Sequence, residues 1–357
     1  MKKLYHLCIK YVLHILCSPF VLSEQRNEKS IKKILNLLFY HLYKHQMKKW
    51  IQDKQISLKI QNNTIYLLTA PTTYTNAVVM AKALESFGFN TRIDTEYDIM
   101  EHLNDFNLYI ILTPCYFQNN LPINYIAFNF EQSTYDFWFT EDYIHILNES
   151  LAILDYTKVN IEYIKKRGIS AEKIHYLPMQ PESCDVEIIE QKSTDCIFYG
   201  GSHVPRRKKM LQDLQQTTSL KVISGVYGDE LKKILKKSGI VLNIHSRENA
   251  VLETTRLCEA ISHGCLVISE TCCNYDEFPE LCKMVEFVPQ GDTKAIAERI
   301  LYYQANPDKL KEKLIENNRI ADSCQATYKE MLKRFLMQFH IMDTNNQNIS
   351  MPTPTTK

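Results

Sequence analysis

Residues 240–269 read IVLNIHSRENAVLETTRLCEAISHGCLVIS. Ile240–His245 is a short apolar run, and a polar loop follows it. Over Leu252–His263 the residues Leu252, Leu257, Ala260 and Ile261 recur at helical spacing. Gly264 ends that helix, and Cys265–Ser269 is β-rich again. Strand, loop, amphipathic helix and strand make a crossover unit, and such a unit implies parallel strands with helices on the faces of the sheet.

The alternation extends in both directions. Upstream the pattern predicts strands at Cys196–Tyr199 and Leu220–Ser224 and helices at Arg206–Leu214 and Asp229–Lys237. Downstream it predicts a strand at Met284–Val288, a helix at Asp292–Gln304, and two final helices at Pro307–Asn317 and Ile320–Phe339. A second set precedes these. Its strands are Thr64–Thr69, Leu108–Thr113, Tyr125–Phe130, Ile153–Tyr156 and Lys173–Leu177. Its helices are Asn76–Phe87, Glu141–Leu151 and Lys158–Arg167. The expected fold class is α/β, with two Rossmann-like, doubly wound parallel-sheet domains and an N-terminal basic helical extension. The expected division is a helical extension over 1–60, a first domain over 61–178, a polar linker over 179–194, a second domain over 195–340 and a disordered tail over 341–357.

The 357 residues suit two domains with a core each. Apolar residues at 45% and charged residues at 23% exclude coiled-coil, collagen and disordered classes. The net charge of +1 hides a split: residues 1–60 hold 12 Lys and Arg against 3 Asp and Glu. Within them Ile31, Ile34, Leu35, Leu38 and Leu42 lie on one face of a basic helix over Ser30–Trp50. That helix either packs on the body or adheres, through residues 1–50, to an anionic membrane surface. Leu4–Leu22 is broken by His6, Lys10, His14 and Pro19 and reads as neither a membrane span nor a signal peptide. Eleven cysteines without regular spacing suit a reducing cytosol, so the expected location is cytoplasmic, with a peripheral position on the inner face of the membrane as the further expectation.

The candidate chemistry lies at strand ends. Gly200-Gly201 follows a strand, and Arg206 and Arg207 stand at the next helix start, an arrangement suited to a pyrophosphate. The structural alternative is a tight turn before a solvated basic helix. His245, Glu248, Asn249, Glu253 and Glu259 sit on or beside the polar loop. A glutamate there can accept from ribose hydroxyls, whereas the bland roles are a first-turn dipole partner for Glu253 and a satisfied flank residue for Glu259. In the first half Glu131 directly follows a strand and is the candidate general base, or else an interdomain hydrogen-bond partner. His102, His145 and His175 are weaker candidates. Absence of C-x-x-C, H-E-x-x-H and D-x-D gives no motif for a metal, and no cofactor is expected.

The segment from Glu248 to Glu270, with Glu259-Ala260 five residues before Gly264, resembles the nucleotide-sugar-binding segment of glycosyltransferases with the GT-B architecture. Gly200-Gly201 with Arg206 and Arg207 is similar to that family's glycine turn and basic diphosphate clamp. Phe130-Glu131-Gln132, Trp138–Tyr143 and Leu154–Asn160 look like an acceptor half. The resemblance covers residues 64–340. It departs at Val251, where many retaining members carry a second glutamate that Glu248 or Glu253 would have to replace. It implies a metal-independent hexosyltransferase with two domains facing a cleft. A nucleotide-diphosphate sugar is the co-substrate and donor, and a surface glycan or lipid-linked saccharide is the acceptor, with no nucleic-acid partner. Two other readings stay open, a sugar-nucleotide epimerase of the same fold and a non-catalytic nucleotide-sugar-binding protein.

Overall fold

The computed structural model describes residues 63–98, 107–118, 120–135, 137–339 and 341–342. The expected N-terminal extension, including Leu4–Leu22 and Ser30–Trp50, lies outside these residues, as do His102 and the tail from 343 onward. Among the described residues no helix is long and apolar enough to cross a membrane.

The first sheet has six parallel strands: β1 (Thr64–Thr69), β2 (Asn90–Asp94), β3 (Tyr109–Leu112), β4 (Tyr125–Asn129), β5 (Ile153–Asp155) and β6 (Ile174–Tyr176), in spatial order β2-β1-β3-β4-β5-β6. Its main helices are α1 (Tyr74–Ser86), α2 (Glu141–Glu149) and α3 (Lys158–Lys166). The second sheet holds β7 (Cys196–Tyr199), β8 (Lys221–Ile223), β9 (Ile240–Asn243), β10 (Leu266–Glu270) and β11 (Val285–Val288). All are parallel, in order β11-β10-β9-β7-β8. Residues of β3, β4, β5, β7, β9 and β10 are buried throughout, as sheets covered on both faces require; the strands are apolar up to their carboxyl ends, where Asn129, Asp155, Asn243, Ser269 and Glu270 stand. In both sheets the chain order reverses beside the first strand, between β1 and β3 and between β7 and β9. A crevice opens at the carboxyl end of such a switch point.

The two-domain α/β expectation holds, with four local differences. β2 was not expected: it is an edge strand of mixed polarity, NTRID, formed because β1 offers its free edge. The expected linker contains α4 (Val186–Glu190), pinned by buried Ile189. Helices α5 (Pro205–Thr217), α6 (Gly228–Lys237), α7 (Thr254–Ser262), α8 (Pro279–Met284) and α9 (Thr293–Ala305) complete the second set, of which α8 was missed. The two final helices are instead one 32-residue helix, α10 (Pro307–Gln338). The asparagines at the expected break make tertiary bonds. Asn317 Nδ2 donates to the Met284 carbonyl at 2.8 Å, and Asn318 pairs with the backbone of Cys184 at 2.7 and 3.0 Å. The helix end returns to the first domain, where Phe335 and the following Phe339 each pack at 5.1 Å from the ring of His175 on β6.

Candidate functional site

At the carboxyl end of β7 the chain turns through Gly200, whose φ is 116°. A Cβ there would meet Arg256 Nη2 at 3.0 Å, and the positive φ is one that glycine adopts without strain. The adjacent Arg206 and Arg207 leave α5 in different directions. Arg206 grips Glu270, the last residue of β10, with Nη2 to Oε1 at 2.6 Å and Nη1 to Oε2 at 3.0 Å. It also donates to the His245 carbonyl at 2.9 Å. Glu270 is fully buried and accepts two backbone N–H groups as well, from Gly291 at 2.7 Å and His245 at 2.8 Å. Burial alone would raise its pKa, but Arg206 and the two N–H groups outweigh burial and hold it below the usual glutamate value.

Arg207 is buried, and each of its nitrogens is engaged: Nε to the Ile244 carbonyl at 2.9 Å, Nη1 to the Gly201 carbonyl at 2.8 Å and Nη2 to Glu253 at 3.0 Å. Glu253 bridges Arg207 to Arg256, which donates onward to Asn243 Oδ1 at 2.7 Å. Burial pushes the Glu253 carboxyl up, but Arg256 and Arg207 pull it further down, so it stays ionised. Arg207 therefore braces the loops, and Arg206 and Arg256, both partly exposed, line the edge. Neither Glu270 nor Arg256 is among the candidate site residues read from the sequence. A glutamate closing a buried strand was the available signal for Glu270.

His245 is buried, and its Nε2 lies 3.1 Å from the Glu270 carbonyl, so Nε2 carries the proton and Nδ1 is an acceptor without a partner among the described residues. Burial lowers its pKa and keeps the ring neutral. Glu248 and Asn249 are exposed on the loop. Glu259 accepts from Tyr199 Oη at 2.9 Å and from Thr75 Oγ1 of the first domain at 2.7 Å, and burial raises its pKa.

In the first domain the switch point is marked by three threonine hydroxyls: Thr69 to Thr73 at 2.9 Å and Thr73 to Thr113 at 3.3 Å. Thr113 has a φ of 63°, a left-handed conformation that costs a β-branched residue on the order of 1 kcal/mol or more. The bend sets Cys115, whose thiol donates to Glu131 Oε1 at 3.3 Å. Burial, then the charge of Glu131, raises the thiol pKa, so Cys115 stays a donor. Glu131 itself is raised by burial, with the Cys115 bond pulling the other way. Beneath it Asn129, Asp155 and Asn160 form a buried network that accepts Tyr143 Oη at 2.7 Å and holds the Glu131 backbone.

Contacts join the two carboxyl edges at several places. Thr75, after β1, meets Glu259. Arg247, after β9, lies 3.1 Å over the ring of Tyr135, after β4. Glu277, after β10, accepts from Thr157 Oγ1 at 2.8 Å and from the Lys158 backbone N–H at 2.7 Å, at the start of α3. The edges thus face one another across one cleft.

Residues 201–337 match the family described as glycosyl transferase-like. The second domain is glycosyl transferase-like. Anabaena HepE with UDP and glucose is similar, at a TM-score of 0.53 and 9% identity over 77% of this chain and 99% of that one. The HepE complex with UDP-glucose gives 0.51 and 10% over the same shares. The described residues have the GT-B fold. TarM of S. aureus is also similar, at 0.47 and 13% over 66% of this chain, which spans 55% of TarM. No curated protein matches by sequence. In this GT-B chain Glu259, Gly200 and Arg206 belong to the glycosyl transferase-like domain or its first turn, and Glu131 belongs to the opposite one.

Proposed function

We propose that the chain transfers a sugar from a nucleotide-diphosphate sugar, held by the second domain, to a hydroxyl of an acceptor presented by the first. The observation that carries this reading is the Thr75–Glu259 hydrogen bond, which brings the helix start after β1 against a carboxylate of the glycosyl transferase-like domain. Glu259 takes the ribose hydroxyls, with Thr75 withdrawing from Oε1. Arg206 and Arg256 face the diphosphate, already oriented by Glu270, Asn243 and Glu253, so little reorganisation accompanies charge development. His245 Nδ1 and the loop residues Glu248 and Asn249 are the remaining donor contacts. The acceptor oxygen bonds to the sugar's anomeric carbon, its proton passes to Glu131, and the anomeric C–O bond breaks with its electron pair leaving on the nucleoside diphosphate. The fold similarity to HepE, whose structures hold UDP, glucose and UDP-glucose, supports a uridine nucleotide as the first donor to try. A hexose as the transferred group, independence of metal, and a peripheral position on the inner membrane face are parts of the same proposal.

Calorimetry tests the donor half. Glu259→Gln keeps the shape but removes the charge, and should weaken nucleoside diphosphate binding by about 10-fold, since a hydrogen bond to a charged group contributes roughly 1.5–3 kcal/mol. The thermal midpoint should move little. Thr75→Val frees Oε1 and should tighten the same binding by up to about 5-fold, one ordinary hydrogen bond being about 1 kcal/mol. Normal binding by Glu259→Gln with a lowered midpoint would leave Glu259 an interdomain strut only.

A further inference from the structure

The large hydrophobic side chains that the described part of the first domain exposes are all aromatic: Tyr74, Tyr116, Phe137 and Trp138. Each stands at the carboxyl edge of the sheet. Tyr74 opens α1 after β1, Tyr116 follows β3, and Phe137 with Trp138 follows β4. Scattered single hydrophobics are ordinary on a surface, but confinement to one edge and to one side-chain chemistry is not. Phe137 stacks on Tyr135 at 5.5 Å and 14°, and Trp138 stands edge-on to Phe137 at 4.9 Å and 87°. The result is an open corner of ring faces, 60% exposed at Phe137 and 41% at Trp138. Arg247 closes its far side over Tyr135, so the corner is continuous with the cleft and with the domain that faces it. It lies on the same segment as Glu131, a few residues further on.

We propose that this edge is a saccharide platform: the acceptor is an oligosaccharide whose pyranose rings lie against Phe137 and Trp138, which presents its terminal hydroxyl to Glu131. The proposal rests on the sugar-transfer reading and names its acceptor class. Flat rings present a rigid, electron-rich face at low entropic cost, and the C–H face of a pyranose carries the complementary partial charge. An acyl chain would be met by leucine, isoleucine or valine, and none of these is exposed in the described first domain. An anionic headgroup would be met by free cations, whereas Arg247 at this corner is committed to Tyr135.

The chain has two tryptophans, Trp50 and Trp138, so in a Trp50→Phe variant the indole emission reports Trp138 alone. Titration with maltotetraose, chitotetraose and a heparin-derived tetrasaccharide should give a saturable change with at least one of them. Phe137→Ala in that background should weaken it about 10-fold, the contribution of one well-placed ring, with the nucleotide affinity unchanged. No saturable response to any of the three in a protein that binds nucleotide would overturn the platform and leave the donor site standing. A blue shift with phosphatidylglycerol vesicles and none with saccharide would also overturn it, in favour of a lipid surface. Loss of nucleotide binding in the parent protein would strike the transfer reading instead, and the saccharide titration would still report on the platform.

Discussion

Glu131→Gln is expected to lower kcat by about 1,000-fold, the middle of the range for a general base, while nucleotide affinity and thermal midpoint stay near those of the parent. Glutamine retains an oxygen to accept from Cys115, so the fold around β3 and β4 keeps its hydrogen bond. The pH profile supplies an independent check. The base acts as a carboxylate, and burial raises its pKa, so kcat/KM should fall as pH drops through a value above the usual glutamate range. The Cys115 thiol favours the ionised form. Cys115→Ala should therefore move that acid limb to still higher pH, and Cys115→Ser, which keeps a donor, should not. Near-parental kcat in Glu131→Gln would remove the base from the mechanism.

Arg206→Ala should cost about 3–5 kcal/mol of stability in chemical denaturation, because it strands the fully buried Glu270 carboxylate without its counter-ion. It should also weaken nucleoside diphosphate binding by on the order of 10- to 100-fold through the lost phosphate contact. Exchanging both partners, Arg206→Ala with Glu270→Leu, should recover part of the stability and none of the affinity, which separates the two roles. Acid should act in the same direction on the parent. The Glu270 pKa is depressed in the folded state, so its contribution is present above the unfolded glutamate value and disappears as pH falls through the folded one. An Arg206→Ala protein of parental stability would mean that Glu270 is satisfied by the Gly291 and His245 N–H groups alone.

The frame was legible because its strands are short apolar runs bounded by polar turns: Thr64–Thr69 and Cys196–Tyr199 fall where composition alone places them. Edge strand β2 was not, since Asn90–Asp94 is held by its pairing with β1 rather than by its own pattern. Helix α10 ran through Asn317 and Asn318 because their amides serve distant backbone groups, a use that no local spacing reveals. At the site, sequence treated Arg206 and Arg207 as equivalent. Adjacent residues on a helix diverge by about 100°, however, and here one faces Glu270 at the edge while the other is buried against Glu253 and Phe198. Glu270 and Cys115 escaped notice for a related reason. Their partners lie 64 and 16 residues away and meet them only when the sheets form.

Sugar transfer is tested by incubating the full chain with UDP-glucose and a panel of other nucleotide-diphosphate sugars, with and without oligosaccharide acceptors, and measuring released nucleoside diphosphate. Release is expected from at least one donor, accelerated by an acceptor and slowed about 1,000-fold in Glu131→Gln. A folded protein that releases none from any donor, or releases it equally in Glu131→Gln, would contradict that expectation.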